Sequence, residues 1–254
     1  MLYQAHRGVS CEYPENTMAA FLAAADQGFQ IIELDLEVTR DQQVVVLHDK
    51  TINRTARDAQ GQPPAEPLLL EELTYEEAAR YDYGLHKGAS FQGTQLPLFS
   101  QVLALARERG LRLKIDNKYQ RFSDARRQVL FNLIRPYTDV ACLTCSNLEA
   151  LAEAVKAFPD MHFHYDGPVT EEILAQLGAL LPRQRLTVWL PHRNPDTAWV
   201  KVAFADATLA AMVKKYASLG IWILATEAQL QEAAALGADV IETHGQLKPK
   251  EENQ

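Results

Sequence analysis

A chain of 254 residues can bury a full core without disulfides or metals, and its 47% hydrophobic and 23% charged content excludes disordered, collagen-like and low-complexity classes. Twenty-five Lys and Arg against 33 Asp and Glu leave a net charge of −8, a field that repels nucleic acid and anionic lipid. An anionic substrate would therefore need a local positive source, such as a metal ion, Arg or Lys.

The first strand-like run covers roughly 2–6 and ends at His6-Arg7-Gly8; helical periodicity follows over about 15–27. A second strand-like run, roughly 30–38, carries Glu33 and Asp35 on one face and Ile32, Leu34 and Leu36 on the other. The polar turn at Asp41-Gln42 and the apolar run up to His48-Asp49 are too short for a helix and read as a hairpin growing out of that strand. With the tip at Asp41-Gln42, positions summing to 83 face one another and Asp35 falls opposite His48.

Residues 50–97 lack regular periodicity and carry Pro63, Pro64, Pro67, Gly84, Gly88 and Gly93, with one short helix near 75–81 capped by Thr74 and Glu77. This stretch reads as an insertion above the mouth of the fold. Helical patterns then cover about 98–109, 122–135, 147–157, 170–181, 206–219 and 227–236. Strand-like runs lie near 111–116, 139–145, 161–165, 186–191, 221–225 and 239–242. Gly28, Gly110, Gly220 and Gly237 each follow a helical pattern and read as left-handed stops. Ser146 with Glu149, and Thr226 with Gln229, fit capping boxes, and the tail 248–254 is expected to fray.

Eight strands alternating with helices predict a closed (β/α)8 barrel, an α/β fold spanning residues 1–254 with the insertion after its second strand. No Gly-rich dinucleotide or P-loop motif follows any strand, which weakens the open doubly wound alternative. Cys11, Cys142 and Cys145 form no disulfide framework, and Cys142-x-x-Cys145 lacks the second pair of a zinc site. The N-terminus has no basic segment leading into an apolar run, and no stretch approaches ~18 uncharged apolar residues. These features predict a cytoplasmic protein with no stable membrane insertion.

In such a barrel the chemistry sits at the C-terminal ends of the strands. There the first strand offers His6 and Arg7, the second Glu33 and Asp35, the hairpin His48, and the third Asp116 and Lys118, an acid and a base two apart on one face. Three carboxylates suit a hard divalent ion, Mg²⁺ or Ca²⁺, better than zinc. A metal beside Arg and Lys suits a phosphate-type oxyanion, and two histidines supply a general acid and a general base. His162, His164, Asp166 and His192 could enlarge the site or simply be satisfied polar groups of the rim.

His6-Arg7-Gly8, Pro14-Glu15-Asn16-Thr17 with Ala20-Phe21, Glu33-x-Asp35, Thr39-Arg40-Asp41 and His48-Asp49 strongly resemble the glycerophosphodiester phosphodiesterase family. The likeness is dense over residues 4–49, looser through Asn53-Arg54-Thr55, Leu96-Pro97-Leu98 and 113–118, and thin beyond. It implies a (β/α)8 barrel in which His6 and His48 are the catalytic pair, Glu33, Asp35 and Asp116 the metal ligands, and Arg7 and Lys118 the phosphate contacts. Asn16 would brace the first loop.

Three departures stand out. Asp116 occupies a slot that is usually Glu, as in the sphingomyelinase D branch. The family's Trp-Thr-x-Asn is here Trp222-Ile-Leu-Ala-Thr226, and its Thr-Asp-x-Pro gives way to Glu242-Thr-His244-Gly245. The last two lie on the leaving-group side in relatives, so they leave the alcohol open.

The reading is metal-assisted hydrolysis of a small-molecule glycerophosphodiester to sn-glycerol 3-phosphate and an alcohol, with the order of the two histidines unassigned. Attack by the substrate's own hydroxyl, through a cyclic phosphate, is an open variant. The alternatives are a lysophospholipase D, sphingomyelinase D-like or sugar-phosphodiester activity, and a non-catalytic barrel that binds phosphorylated ligands. A lipid substrate would call for an apolar groove near the insertion, hinted at by Leu68-Leu-Leu70.

Overall fold

Strand β1 (Leu2–His6) opens a barrel whose later strands are β2 (Ile31–Leu34), β5 (Arg112–Ile115), β6 (Ala141–Cys145), β7 (Phe163–Tyr165), β8 (Leu186–Pro191), β9 (Ser218–Trp222) and β10 (Val240–Thr243). In this computed structural model, which describes residues 1–250, these eight strands run parallel and close in the order β1-β10-β9-β8-β7-β6-β5-β2. Helices α1 (Met18–Asp26), α3 (Phe99–Arg109), α4 (Asp124–Ile134), α5 (Leu148–Ala157), α6 (Glu171–Leu180), α7 (Ala207–Lys214) and α8 (Glu227–Ala235) occupy the connections; the hairpin β3 (Leu36–Val38) with β4 (Val44–Val46) and the short α2 (Tyr75–Ala78) follow β2. The fold is a (β/α)8 barrel.

Strand pleating divides the core. Ile32, Leu34, Leu113 and Ile115 face the helices and are fully buried. The opposite parity fills the barrel interior, where Ile31, Trp189 and Val240 form a plug. A third cluster of Val45, Leu47, Ile52, Ala56, Leu70, Ala78, Tyr83 and Leu96 joins the hairpin to the insertion. The Leu68–Leu70 run feeds this cluster, with Leu70 fully buried and Leu68 packed against it, so it builds core rather than a lipid groove.

Several local expectations change in three dimensions. Gly28, Gly110 and Gly237 take φ of 79°, 66° and 72° after their helices, but Gly220 does not. It lies inside β9, where a Cβ would come within 2.5 Å of the Trp189 indole, so the close approach of the plug selects glycine there. Helix α7 accordingly stops at Lys214 and β9 starts at Ser218, several residues earlier than periodicity suggests. Helix α5 is capped by Asn147, whose side chain accepts from the Ala150 N–H, instead of the Ser146/Glu149 box. The boxes at Thr74/Glu77 and Thr226/Gln229 do form.

The hairpin register is Leu36↔Val46, Glu37↔Val45 and Val38↔Val44, one residue from the expected pairing. Thr39 takes part: the Gln43 N–H donates to Thr39 Oγ1 (2.9 Å), Thr39 Oγ1 donates to Asp41 Oδ1 (2.6 Å), and Gln42 adopts φ 63°. A three-residue loop, 40–42, therefore replaces the two-residue tip, and Leu47 rather than His48 bonds the Asp35 carbonyl (3.0 Å). At the tail, Lys248 and Lys250 pair with Glu12 and Glu227 (2.8 and 3.6 Å) rather than fraying; 251–254 lie outside the described residues. Among the described residues no helix is long and apolar enough to cross a membrane.

Candidate active site

Strand register brings the polar residues to one level. His6 pairs across to Glu33, Glu33 to Lys114, and Ala5 to Thr243, so the C-terminal rim collects side chains from β1, β2, β5 and β10. The turn after β1 is held open by Arg7 (φ 57°) and Gly8 (φ 77°), and a Cβ on Gly8 would sit 2.7 Å from Ala20 Cβ. Seating α1 that close aims Arg7 inward: its N–H donates to Glu33 Oε2 (3.1 Å) and its Nε lies 3.2 Å from Asp35 Oδ2. Asn16 (φ 56°) donates from Nδ2 to Asp35 Oδ2 (3.0 Å), bracing the turn against the acid.

A cavity of about 610 Å³ opens at this rim, and His6, Arg7, Glu33, Asp35, His48, Asp116 and Lys118 all line it. Glu33, Asp35 and Asp116 each present an oxygen within 4.8 Å of the others. Asp116 does so from a different element than expected. Strand β5 stops at Ile115, and Asp116 caps the 3₁₀ turn Asn117–Arg121 by accepting from the Lys118 N–H (2.9 Å). Lys118 then turns back to reach Asp35 Oδ1 (2.7 Å) and the His48 carbonyl (3.0 Å), coupling the second strand to the hairpin without direct pairing of Asp35 and His48.

A ring of alternating charge surrounds His48. Its Nδ1 meets Asp49 Oδ1 at 2.5 Å; Asp49 Oδ2 accepts from Arg54 Nε (2.5 Å); and Arg54 donates to both Glu15 oxygens (2.7 and 2.9 Å). Glu15 accepts from Arg7 (3.0 Å), which leads back through Asp35 and Lys118 to the His48 carbonyl. Burial pushes the Glu15 carboxyl up, but hydrogen bonds from Arg54 and the charge of Arg7 outweigh it and hold its pKa at about 2.

That depression fixes a sign. The Glu15 contribution is complete above the unfolded-state value of about 4.3 and is lost as pH falls toward 2, a change of up to about 3 kcal/mol. Glu15→Gln should flatten the acid limb of stability in urea unfolding between pH 5 and 2; the same slope in both proteins would refute this.

His6 has its Nδ1 3.1 Å from Nδ1 of His244, and its Nε2 lies 3.7 Å from Glu33 Oε2. Burial, then the charge of Arg7, lowers its pKa well below the usual imidazole value. Burial, then the charges of Asp35 and Glu242, pushes the Glu33 carboxyl well above the usual carboxylate range. Buried acids that close together call for counter-charge, and the oxygen-only donor set suits a hard divalent cation.

The other polar residues divide. Asp166, Glu242 and His244 line the cavity, whereas His162 binds Thr187 (2.9 Å), His164 accepts from Trp189 (2.9 Å) and His192 meets Glu232 (2.8 Å) outside it. Lys114 went unnoticed in the sequence, yet it is buried in the barrel and pairs with Glu242 (3.4 Å), which also accepts from Gln4. Its parity with Asp116, on the face opposite Leu113 and Ile115, was the available signal. All three cysteines are free thiols.

The model of the glycerophosphoryl diester phosphodiesterase family matches residues 6–135. A glycerophosphodiester phosphodiesterase of Caldanaerobacter subterraneus subsp. tengcongensis is 36% identical over 114 residues, 45% of this chain but only 44% of that relative. The chain's match thus spans less than half the length of that curated relative. An Oleispira antarctica phosphodiesterase, solved in complex with the product sn-glycerol-3-phosphate, is similar in fold (TM-score 0.75, 18% identity, 96% of this chain and 93% of that one). A Parabacteroides distasonis glycerophosphoryl diester phosphodiesterase is similar too (TM-score 0.73, 18% identity, 96% and 82%).

Proposed function

Because the chain belongs to the glycerophosphoryl diester phosphodiesterase family, we propose that it hydrolyses glycerophosphodiesters to sn-glycerol 3-phosphate and an alcohol with the help of a divalent cation. The observation that carries this reading is one cavity that joins the three-carboxylate cluster to Arg7, Lys118, His6 and His48.

Glu33, Asp35 and Asp116 would hold the ion, Mg²⁺ or Ca²⁺, which when bound supplies Lewis-acid polarisation of the phosphoryl group. Arg7 and Lys118 neutralise charge that grows on the phosphoryl oxygens. Asp49 holds Nδ1 of His48, and His244 holds Nδ1 of His6, which leaves both Nε2 atoms for proton transfer. One imidazole takes the proton of the attacking oxygen and the other returns one to the departing alkoxide. Barrel and insertion act as one unit in this reading, since the hairpin carries His48 and Arg54 ties it to the first loop. Three free thiols fit a reducing compartment such as the cytoplasm.

Incubation with a glycerophosphodiester and Mg²⁺ or Ca²⁺ should release glycerol phosphate. No release with either ion, from a folded protein, would overturn the hydrolytic reading.

A further inference from the structure

Asp166, just past β7, lines the cavity with a carboxylate that is only half satisfied. Asn117 Nδ2 donates to Oδ2 at 2.8 Å, while Oδ1 is buried without a hydrogen-bond partner. The residue as a whole is half-buried but this oxygen is shielded, so an open lone pair there is costly unless something fills it. Lys114 lines the same cavity from β5, and among the described residues its ion-pair partner is Glu242 at 3.4 Å rather than Asp166. Lys114 Nζ also lies 4.5 Å from the Trp189 ring centroid, but it has three N–H donors to place, so the one cavity is lined by both an unmet acceptor and a cationic donor.

We propose that Asp166 and Lys114 grip a hydroxyl of the substrate's alcohol, making diesters of polyols the preferred class; this rests on the phosphodiesterase reading above. The charge pattern decides the class. An ammonium headgroup would gain Asp166 but meet Lys114, whereas an anionic group would gain Lys114 but meet Asp166 and Glu242. A hydroxyl donates to the carboxylate and accepts from the ammonium, satisfying both without adding charge. An acyl chain would leave both groups dry and unpaired. A site built to bond a hydroxyl discriminates against substrates that lack one, because its own polar groups are then left unmatched.

The test uses the metal-supplemented protein with glycerophosphoglycerol, glycerophosphocholine and bis(p-nitrophenyl) phosphate. The wild type should show kcat/KM for glycerophosphoglycerol about 10-fold or more above that for glycerophosphocholine. In Asp166→Asn that ratio should fall about 10-fold. A ratio of two substrates on one preparation is insensitive to the fraction misfolded, and the wild-type preference stands even if the variant does not fold. Equal turnover of the two glycerol esters by the wild type, or an unchanged ratio in the variant, overturns the subsite while leaving hydrolysis intact. Failure to turn over any of the three sinks the hydrolytic reading and the subsite with it.

Discussion

Replacing His6 or His48 by alanine should slow phosphodiester turnover by about 10²–10⁴-fold in each case. Divalent-cation binding should survive, because neither imidazole belongs to the carboxylate cluster. The double variant should be little slower than the worse single one, since two groups that pass a proton through one transition state act as a unit. The two sites should fail differently under milder change. Asp49→Asn would leave His48 in place but exchange the acceptor of its Nδ1 proton for an amide, and it should lose less than His48→Ala. Full turnover in both alanine variants would remove the histidines from the mechanism.

The second large effect concerns the acids, and its sign differs with and without metal. In the metal-free protein, Glu33 is crowded by Asp35 and Glu242 in a buried setting, so Glu33→Gln should raise the melting temperature. With cation present at about 100 times its Kd, the wild type should gain about 2.7 kcal/mol, equivalent to roughly 5–10 °C for a chain of this size. The variant should gain almost nothing and should lose turnover as chelation with EDTA does. A thermal scan of both proteins, with and without Mg²⁺ or Ca²⁺, decides this; equal metal-induced shifts would remove Glu33 from the ligand set. The same experiment exposes the trade between stability and site, since Glu33, crowded in the metal-free protein, is a residue the proposed function needs.

The barrel was readable because its signals are local. Short β-branched runs, helical periods, three glycine stops and the Thr226/Gln229 cap each depend on neighbours within a few positions. The same local logic failed where a distant residue intervened. Gly220 reads as a helix stop until Trp189 is seen against it, and the hairpin reads as a two-residue turn until Thr39 bonds Asp41 and Gln43. Asp116 and Lys118 read as one strand face, but Asp116 ends the strand by capping the next turn.

By itself the sequence determined the fold class and nominated His6, Arg7, Glu33, Asp35, His48, Asp116 and Lys118, because pleat parity and motif spacing are written in consecutive residues. Only the tertiary structure decided who touches whom. It closed the charge ring from His48 through Asp49, Arg54, Glu15, Arg7 and Asp35 to Lys118, set His244 against His6, and buried Lys114 beside Glu242. The physical reason is that these contacts join residues up to 238 positions apart, and their geometry follows from barrel closure and strand register, which no local pattern encodes.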